Sequence, residues 1–335
     1  MQPAIYGVSG ERLIADERDF FRDADPAGYI LFQRNCADRE QVRALTDELR
    51  SLSGRHDLPI LIDQEGGRVA RMRPPVWPEF PRAGAFAALH DKAPMSAIQA
   101  ARHNAAAIAA VLREVGVNVD CLPLLDVRQE GAHDIIGDRA LGAEPMQVAA
   151  LGRAVIEGLR EGGVVGVVKH MPGHGRSMSD SHLELPVVEA SEAELESDIA
   201  PFRTLAWAPM GMTAHVVYAA WDGTHPGSLS KTVIGEVIRG RIGFDGLLMS
   251  DDLGMKALSG DFAHRAAGVV AAGCDLALHC SGDMAEMQAV ASGLGEITPE
   301  GRERLDRAMA TVVGAGEGEP YEDLAAKRDA LLAYA

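Results

Sequence analysis

The sequence predicts an α/β fold, a single (β/α)₈ barrel of the TIM type with extra helices at its C-terminal end. Three observations carry that prediction. Short apolar, β-branched runs alternate with amphipathic segments from one end of the chain to the other. Eight such runs occur, at about residues 3–8, 28–33, 59–63, 117–122, 164–169, 210–215, 246–250 and 275–279. No GxGxxG follows the first run, and no GxxxxGK[ST] occurs anywhere, so the open nucleotide-binding sheets lack their signatures.

The elements between the strands carry their own signals. In DREQVRALTDELRSL (38–52), Val42, Leu45, Leu49 and Leu52 recur at three- and four-residue spacing, the period of a helix with one buried face. Asp38 stands as an N-cap, with Gln41 three residues on able to reach back. The Ala-rich stretch 96–115 and segments 145–161, 191–206, 231–241 and 263–273 read as further helices. Gly116, Gly162, Gly163 and Gly243 sit where helices should stop. The tail from about 298 to 335 reads as helices packed on the outside. No linker interrupts the pattern, so residues 1–335 form one expected domain.

With 47% apolar residues there is ample material for a large core. The formal charge of −17 opposes phosphate-rich partners, so neither nucleic acid nor an anionic membrane is expected. The opening MQPAIYGVSGERLIADERDF lacks the basic start and apolar stretch of a signal peptide. No segment approaches the ~18 uncharged apolar residues of a membrane span. Cys36, Cys121, Cys274 and Cys280 form no disulfide framework and no CxxC, and read as free thiols of a cytoplasmic protein. A monomer is the working expectation.

The functional argument begins with position. The third strand ends in Asp63-Gln64-Glu65 and the fourth runs on to Asp126. The fifth ends in Lys169-His170, the sixth in His215, and the seventh in Ser250-Asp251-Asp252. Each of these alone reads as a helix cap or a strand-end hydrogen bonder. Together they gather at the C-terminal face of a barrel, where catalytic groups sit.

The stretch VVKHMPGHGRSMSDSHLELP (167–186) is the most informative. Pro172, Gly173 and Gly175 force an irregular loop that carries His174, Asp180 and His182. Asp180 and His182, two apart, can face each other across a turn, the carboxylate orienting the imidazole for proton transfer. Histidine titrates near pH 6.5, roughly where an acid/base must work. The same His170, His174, Asp180 and His182 can also be read as metal ligands, against which stands the absence of HExxH or any two-His helical spacing. A loop of merely structural histidines is the remaining reading. On the seventh strand Asp251 emerges from a buried run, placed to attack an anomeric carbon. Asp252 is the neighbouring choice, or a cap for the helix that follows.

These residues resemble glycoside hydrolase family 3, specifically its single-domain β-N-acetylglucosaminidases of bacterial cell-wall recycling. The resemblance runs through LFQRN (31–35), IDQEGGRVARM (62–72), LPLLDV (122–127), IGDRALG (136–142), KHMPGHG with DSH (169–175, 180–182), MTAHVVY (212–218) and MSDDLGMKAL (249–258). It implies a (β/α)₈ barrel, in agreement with the strand count. It also implies Asp251 as nucleophile and His182 as acid/base, with Asp180 as partner of His182 on a mobile loop with glycine hinges. By the same resemblance Asp63 and Arg71 shape the sugar subsite, with Arg139, Lys169 and His170 as further sugar-binding positions and His215, also counted with the substrate-binding residues, behind the pocket or in its wall. For Arg34 and Glu65 structural pairing is expected. Met171 replaces the usual Phe, and Gln64 a frequent His.

The implied reaction is retaining exo-hydrolysis of a terminal β-linked N-acetylglucosamine through a covalent glycosyl-aspartate, with no metal and no organic cofactor. The implied substrate is a GlcNAc–anhydromuramic acid fragment, with or without peptide, so the one expected partner is a small GlcNAc-containing muropeptide. The alternatives are a β-glucosidase or xylosidase of the wider family, a phosphorylase, a metal-dependent barrel hydrolase, and a sugar-binding protein without turnover.

Overall fold

The computed structural model describes residues 1–181, 183–314 and 318–334. Eight parallel strands close into a barrel: β1 (Gln2–Gly7), β2 (Pro26–Leu31), β3 (Ile60–Ile62), β4 (Val119–Asp120), β5 (Val165–Met171), β6 (Met210–Thr213), β7 (Leu247–Asp252) and β8 (Leu276–His279). Each pairs with its neighbours in sequence, and β1 pairs with β8 through Ala4↔Ala277 to Tyr6↔His279. The predicted fold class is the observed one.

Side-chain alternation explains the closure. Ile5, Ile30, Leu61, Val119, Val165, Val167, Met210, Leu247 and Leu276 point inward and form one buried cluster. Their neighbours Ala4, Tyr6, Tyr29, Leu31, Ile60, Ile62, Val168 and Leu248 point outward into a second cluster shared with the helices. Strands buried on both faces need near-continuous apolar runs, the pattern that made them visible in sequence.

The helices are α1 (Ala15–Ala24), α2 (Arg39–Ser53), α3 (Ala83–His90), α4 (Pro94–Glu114), α5 (Pro145–Glu161), α6 (Glu192–Thr204), α7 (Phe262–Ala272), α8 (Met284–Ser292), α9 (Pro299–Ala310) and α10 (Tyr321–Leu332). A π-wound helix spans Val233–Ile242. Asp38 caps α2 by accepting from the Gln41 amide, while the Gln41 side chain accepts from the Ala37 amide. Helix α4 is Ala-rich because it is covered nearly all round, by α3, α5 and α10 as well as the barrel. Its contact with α5 is so close that a Cβ on Gly158 would lie 2.3 Å from the Arg102 carbonyl. Among the described residues no helix is long and apolar enough to cross a membrane.

Two expectations need correction. The tail does not lie wholly outside: Leu305, Ala308 and Met309 of α9 join the interior cluster and stopper one end of the barrel, and only α10 packs externally. Several strand ends also move. β5 continues through His170 and Met171 because Met171 pairs with Thr213, whereas β6 stops at Thr213 and leaves His215 beyond it. β7 extends through Asp252, which pairs with Leu278.

Candidate active site

A cavity of about 250 Å³ opens where the strand ends converge, and it is lined by Asp63, Glu65, Arg71, Arg139, Lys169, His170, Asp251 and Asp252. Phe32, Ile136, Met212 and Leu278 supply apolar wall. Its size lies just below the range of ligand-sized pockets and suits a small ring.

One side of the cavity is a chain of charges. Asp63, just past β3, accepts from Lys169 Nζ at 3.0 Å and from Arg71 at 2.9 Å. Lys169 Nζ also lies 2.8 Å from Glu65, which Arg139 holds with two hydrogen bonds of 2.7 and 2.8 Å. Burial acts to raise the carboxylate pKa values, but Lys169 and Arg71 outweigh it and hold Asp63 well below the usual range. Lys169 and Arg139 do the same for Glu65. Lys169 is pushed in the opposite direction: burial lowers its pKa, and the two carboxylates more than restore it. Asp63, Glu65 and Lys169 are therefore charged, and with Arg71 and Arg139 they form an oriented set of donors and acceptors of the kind that holds hydroxyl groups. Arg71 also lies 5.0 Å from the Phe32 ring centre, with Arg34 at 4.9 Å. Arg34 itself donates to the carbonyls of Val8 and Cys280.

His170 is set by a residue that the sequence reading noted only as a strand-end acid. Buried Asp126 accepts from His170 Nδ1 at 2.8 Å, from the His170 amide at 3.2 Å and from the His174 amide at 2.7 Å. Burial would raise its pKa, but the two histidines pull it down to about 2. No local motif points to this role, because its partners lie 44 and 48 positions away. His174 is buried, its Nε2 3.2 Å from Ser181 Oγ, and burial with the neighbouring His170 lowers its pKa to about 4. It is neutral at physiological pH.

On the opposite side, Asp251 lies at the end of β7 and accepts from the Asp252 amide at 2.8 Å. Asp252 also reaches the cavity, but its Oδ1 accepts from the amides of Gly254 and Cys280, each at 3.0 Å, and so ties the turn after β7 to the end of β8. His215 is fully buried and does not line the cavity. Its Nδ1 meets Ser228 Oγ at 2.5 Å and its Nε2 meets the Asp252 carbonyl at 3.0 Å, so it acts on the site through the backbone of β7.

The loop after β5 starts tightly packed. Tyr218 donates to the Gly173 carbonyl at 2.8 Å, and a Cβ on Gly175 would meet the Val127 carbonyl at 1.9 Å. Ser181 is buried, accepts from the Ala257 amide at 3.3 Å, and lines the cavity. The Asp180 carbonyl accepts from the amides of Leu183 and Glu184. His182, the expected proton donor, lies outside the described residues.

Residues 7–314 match the family model described as the glycosyl hydrolase family 3 N terminal domain. The chain belongs to glycosyl hydrolase family 3. Within that family it is 41% identical to a β-hexosaminidase of Alkalilimnicola ehrlichii, over 83% of this chain and 80% of the relative. A β-hexosaminidase of Chromobacterium violaceum is 35% identical, over 99% and 92%. The crystal structure of NagZ from Neisseria gonorrhoeae in complex with N-trifluoroacetyl-D-glucosamine matches with a TM-score of 0.87 and 31% identity, over 99% and 97% of the two chains. Family membership makes this chain a glycoside hydrolase, with the charged cavity as its candidate catalytic centre.

Proposed function

We propose that this glycoside hydrolase, a β-N-acetylhexosaminidase by family and relatives, is a retaining exo-β-N-acetylglucosaminidase acting on peptidoglycan fragments of the GlcNAc–anhydromuramic acid type. The observation that carries the reading is that Asp251 and the Asp63–Lys169–Glu65–Arg139 chain line the same cavity of about 250 Å³. One terminal ring fits such a space, its hydroxyls held by Asp63, Arg71, Arg139, Lys169 and His170.

In this reading the Asp251 carboxylate attacks C1 as the glycosidic C–O bond breaks, and His182 gives its proton to the leaving oxygen. Asp180 orients His182 and stabilises its protonated form. Neutral His182 then takes a proton from water, which attacks C1, frees Asp251 and leaves the sugar with β configuration. His215 supports the backbone of β7 beside the nucleophile. No step calls for a metal or organic cofactor. The four cysteines are free thiols, which agrees with a reducing cytoplasm as the working compartment.

The test is initial-rate hydrolysis of an aryl β-N-acetylglucosaminide by wild type and Asp251→Ala, in phosphate-free buffer with chelator, with the product anomer read by NMR. Turnover by wild type with β product, lost in the variant, supports the proposal. Dependence on added phosphate would move the chemistry to phosphorolysis, and sugar binding without turnover would leave only a binding protein.

A further inference from the structure

Arg68 has no place in the mechanism above, yet it lines the same cavity. It stands on the short hairpin formed by Gln64–Gly66 and Val69–Ala70, which follows Asp63 and carries Glu65. Its Nη2 donates to three successive carbonyls of the loop between β4 and α5: Asp134 and Ile135 at 2.7 Å, and Ile136 at 3.4 Å. Its Nε donates to Asp138 at 3.1 Å. These contacts fall on the turn that delivers Arg139. Arg139 Nη1 shares the Ile135 carbonyl with Arg68, at 3.1 Å, while the rest of its guanidinium is held by Glu65.

The loop is also held by Ile136 in the core, by the His133 amide on the Ser177 carbonyl at 2.9 Å and by Arg82 3.5 Å from Asp138, but only Arg68 among these binds the carbonyls that lead into Arg139. His133 and Asp134 are exposed, and the turn passes through Gly137 at φ +46°, where a Cβ would lie 2.2 Å from Asp134 Oδ1. The hairpin therefore grips the loop twice, by Arg68 on the backbone and by Glu65 on the Arg139 side chain. The hairpin is itself braced, since Arg73 donates to the carbonyls of Ala70 and Arg68. The two guanidinium groups share the Ile135 carbonyl, and the carboxylates of Asp138 and Glu65 offset their charges.

We infer that Arg68 is a positioning residue for the sugar subsite, acting through Arg139 by clamping the 134–138 turn. The inference rests on the reading that Arg139 binds the substrate sugar. A planar guanidinium spans several carbonyls and a carboxylate at once, which an ammonium cannot do.

The test is a double-mutant cycle of Arg68→Ala and Arg139→Ala on an aryl β-N-acetylglucosaminide, with N-acetylglucosamine affinity measured by calorimetry and melting recorded for each variant. Arg68→Ala should raise KM about tenfold with kcat within about twofold, the signature of lost ground-state positioning. Arg68→Lys should remain impaired. The double variant should be no worse than Arg139→Ala within about twofold, because Arg68 has nothing to position once Arg139 is gone. Independent, multiplying effects would overturn the inference, as would an unchanged KM in Arg68→Ala while Arg139→Ala raises it. If Arg139→Ala itself leaves KM unchanged in an active enzyme, the subsite reading fails and takes the inference with it. Should Arg68→Ala not fold, Arg68→Gln serves the same cycle.

Discussion

Arg139 grips both oxygens of Glu65 through its Nε and Nη2, and the same carboxylate also receives Lys169 Nζ at 2.8 Å. Glu65 is thus the shared counter-charge for two cations that line the cavity. Replacing it with Gln leaves Lys169 leaning on Asp63 alone and Arg139 on a neutral acceptor. Breaking a buried ion pair from one side costs about 3 kcal/mol or more. Glu65→Gln should therefore melt several degrees below wild type and show a raised KM, read by calorimetry and initial rates. Unchanged melting and unchanged KM would show that the chain of charges is not what holds the subsite.

His174 makes folding sensitive to acid. Burial, with His170 beside it, lowers its pKa to about 4, against roughly 6.5 for the unfolded chain. The folded protein binds this proton less readily than the unfolded chain does. Its stabilising contribution is therefore complete above about pH 6.5 and is lost as pH falls toward 4. The loss should reach about 2 kcal/mol by pH 5. Buried His215, whose pKa is also lowered, adds to it with the same sign. Urea unfolding at pH 7.5, 6 and 5 should show a steeper decline for wild type than for His174→Gln. Parallel declines would place the acid sensitivity elsewhere.

What the sequence made legible follows from range. The eight strands were visible because each is buried on both faces and had to be written in Val, Ile, Leu and Met. Asp63, Lys169, His170 and Asp251 stood out because a barrel brings its strand ends together. Helix α1, with the sequence ADERDFFRDA, escaped notice because only Glu17 and Phe21 of it are buried. The partners of the polar groups were hidden for a different reason. Asp126 and His170, or Arg68 and the 134–136 carbonyls, are separated by 44 and by 66 to 68 positions, and nothing local marks them as neighbours. His215 was read by type and place, but its buried contacts with Ser228 and the β7 backbone depend on where β6 ends.

The adjacent acids at the end of β7 should separate cleanly in mutants. Asp252 Oδ1 serves two backbone amides, and Asn retains an oxygen that can accept from both. Asp252→Asn should keep most activity and stability, whereas Asp252→Ala should lose about 1–2 kcal/mol by stranding those donors. Under the proposed mechanism Asp251→Asn should fold like wild type and lose activity by about a thousandfold or more, because an amide cannot form the glycosyl ester. Activity surviving in Asp251→Asn but not in Asp252→Asn would exchange their roles.

The loop after β5 gives the sharpest steric prediction. Gly175 lies against the Val127 backbone, and an added methyl would sit 1.9 Å from that carbonyl oxygen, with no flexible side chain to yield. One side or the other must move by more than an ångström. The moving parts are the His174 amide, which Asp126 holds at 2.7 Å, and the segment after β4 that carries Asp126 itself. Forced overpacking of this kind costs roughly 1–3 kcal/mol. Gly175→Ala should therefore lower both the melting temperature and kcat, since His170 and the loop bearing Asp180 share the same anchor. Gly10→Ala, where a Cβ meets nothing within 4 Å, is the matched control and should change neither. If Gly175→Ala melts and turns over like that control, the start of the loop yields freely, and the tight packing against Val127 does not constrain catalysis.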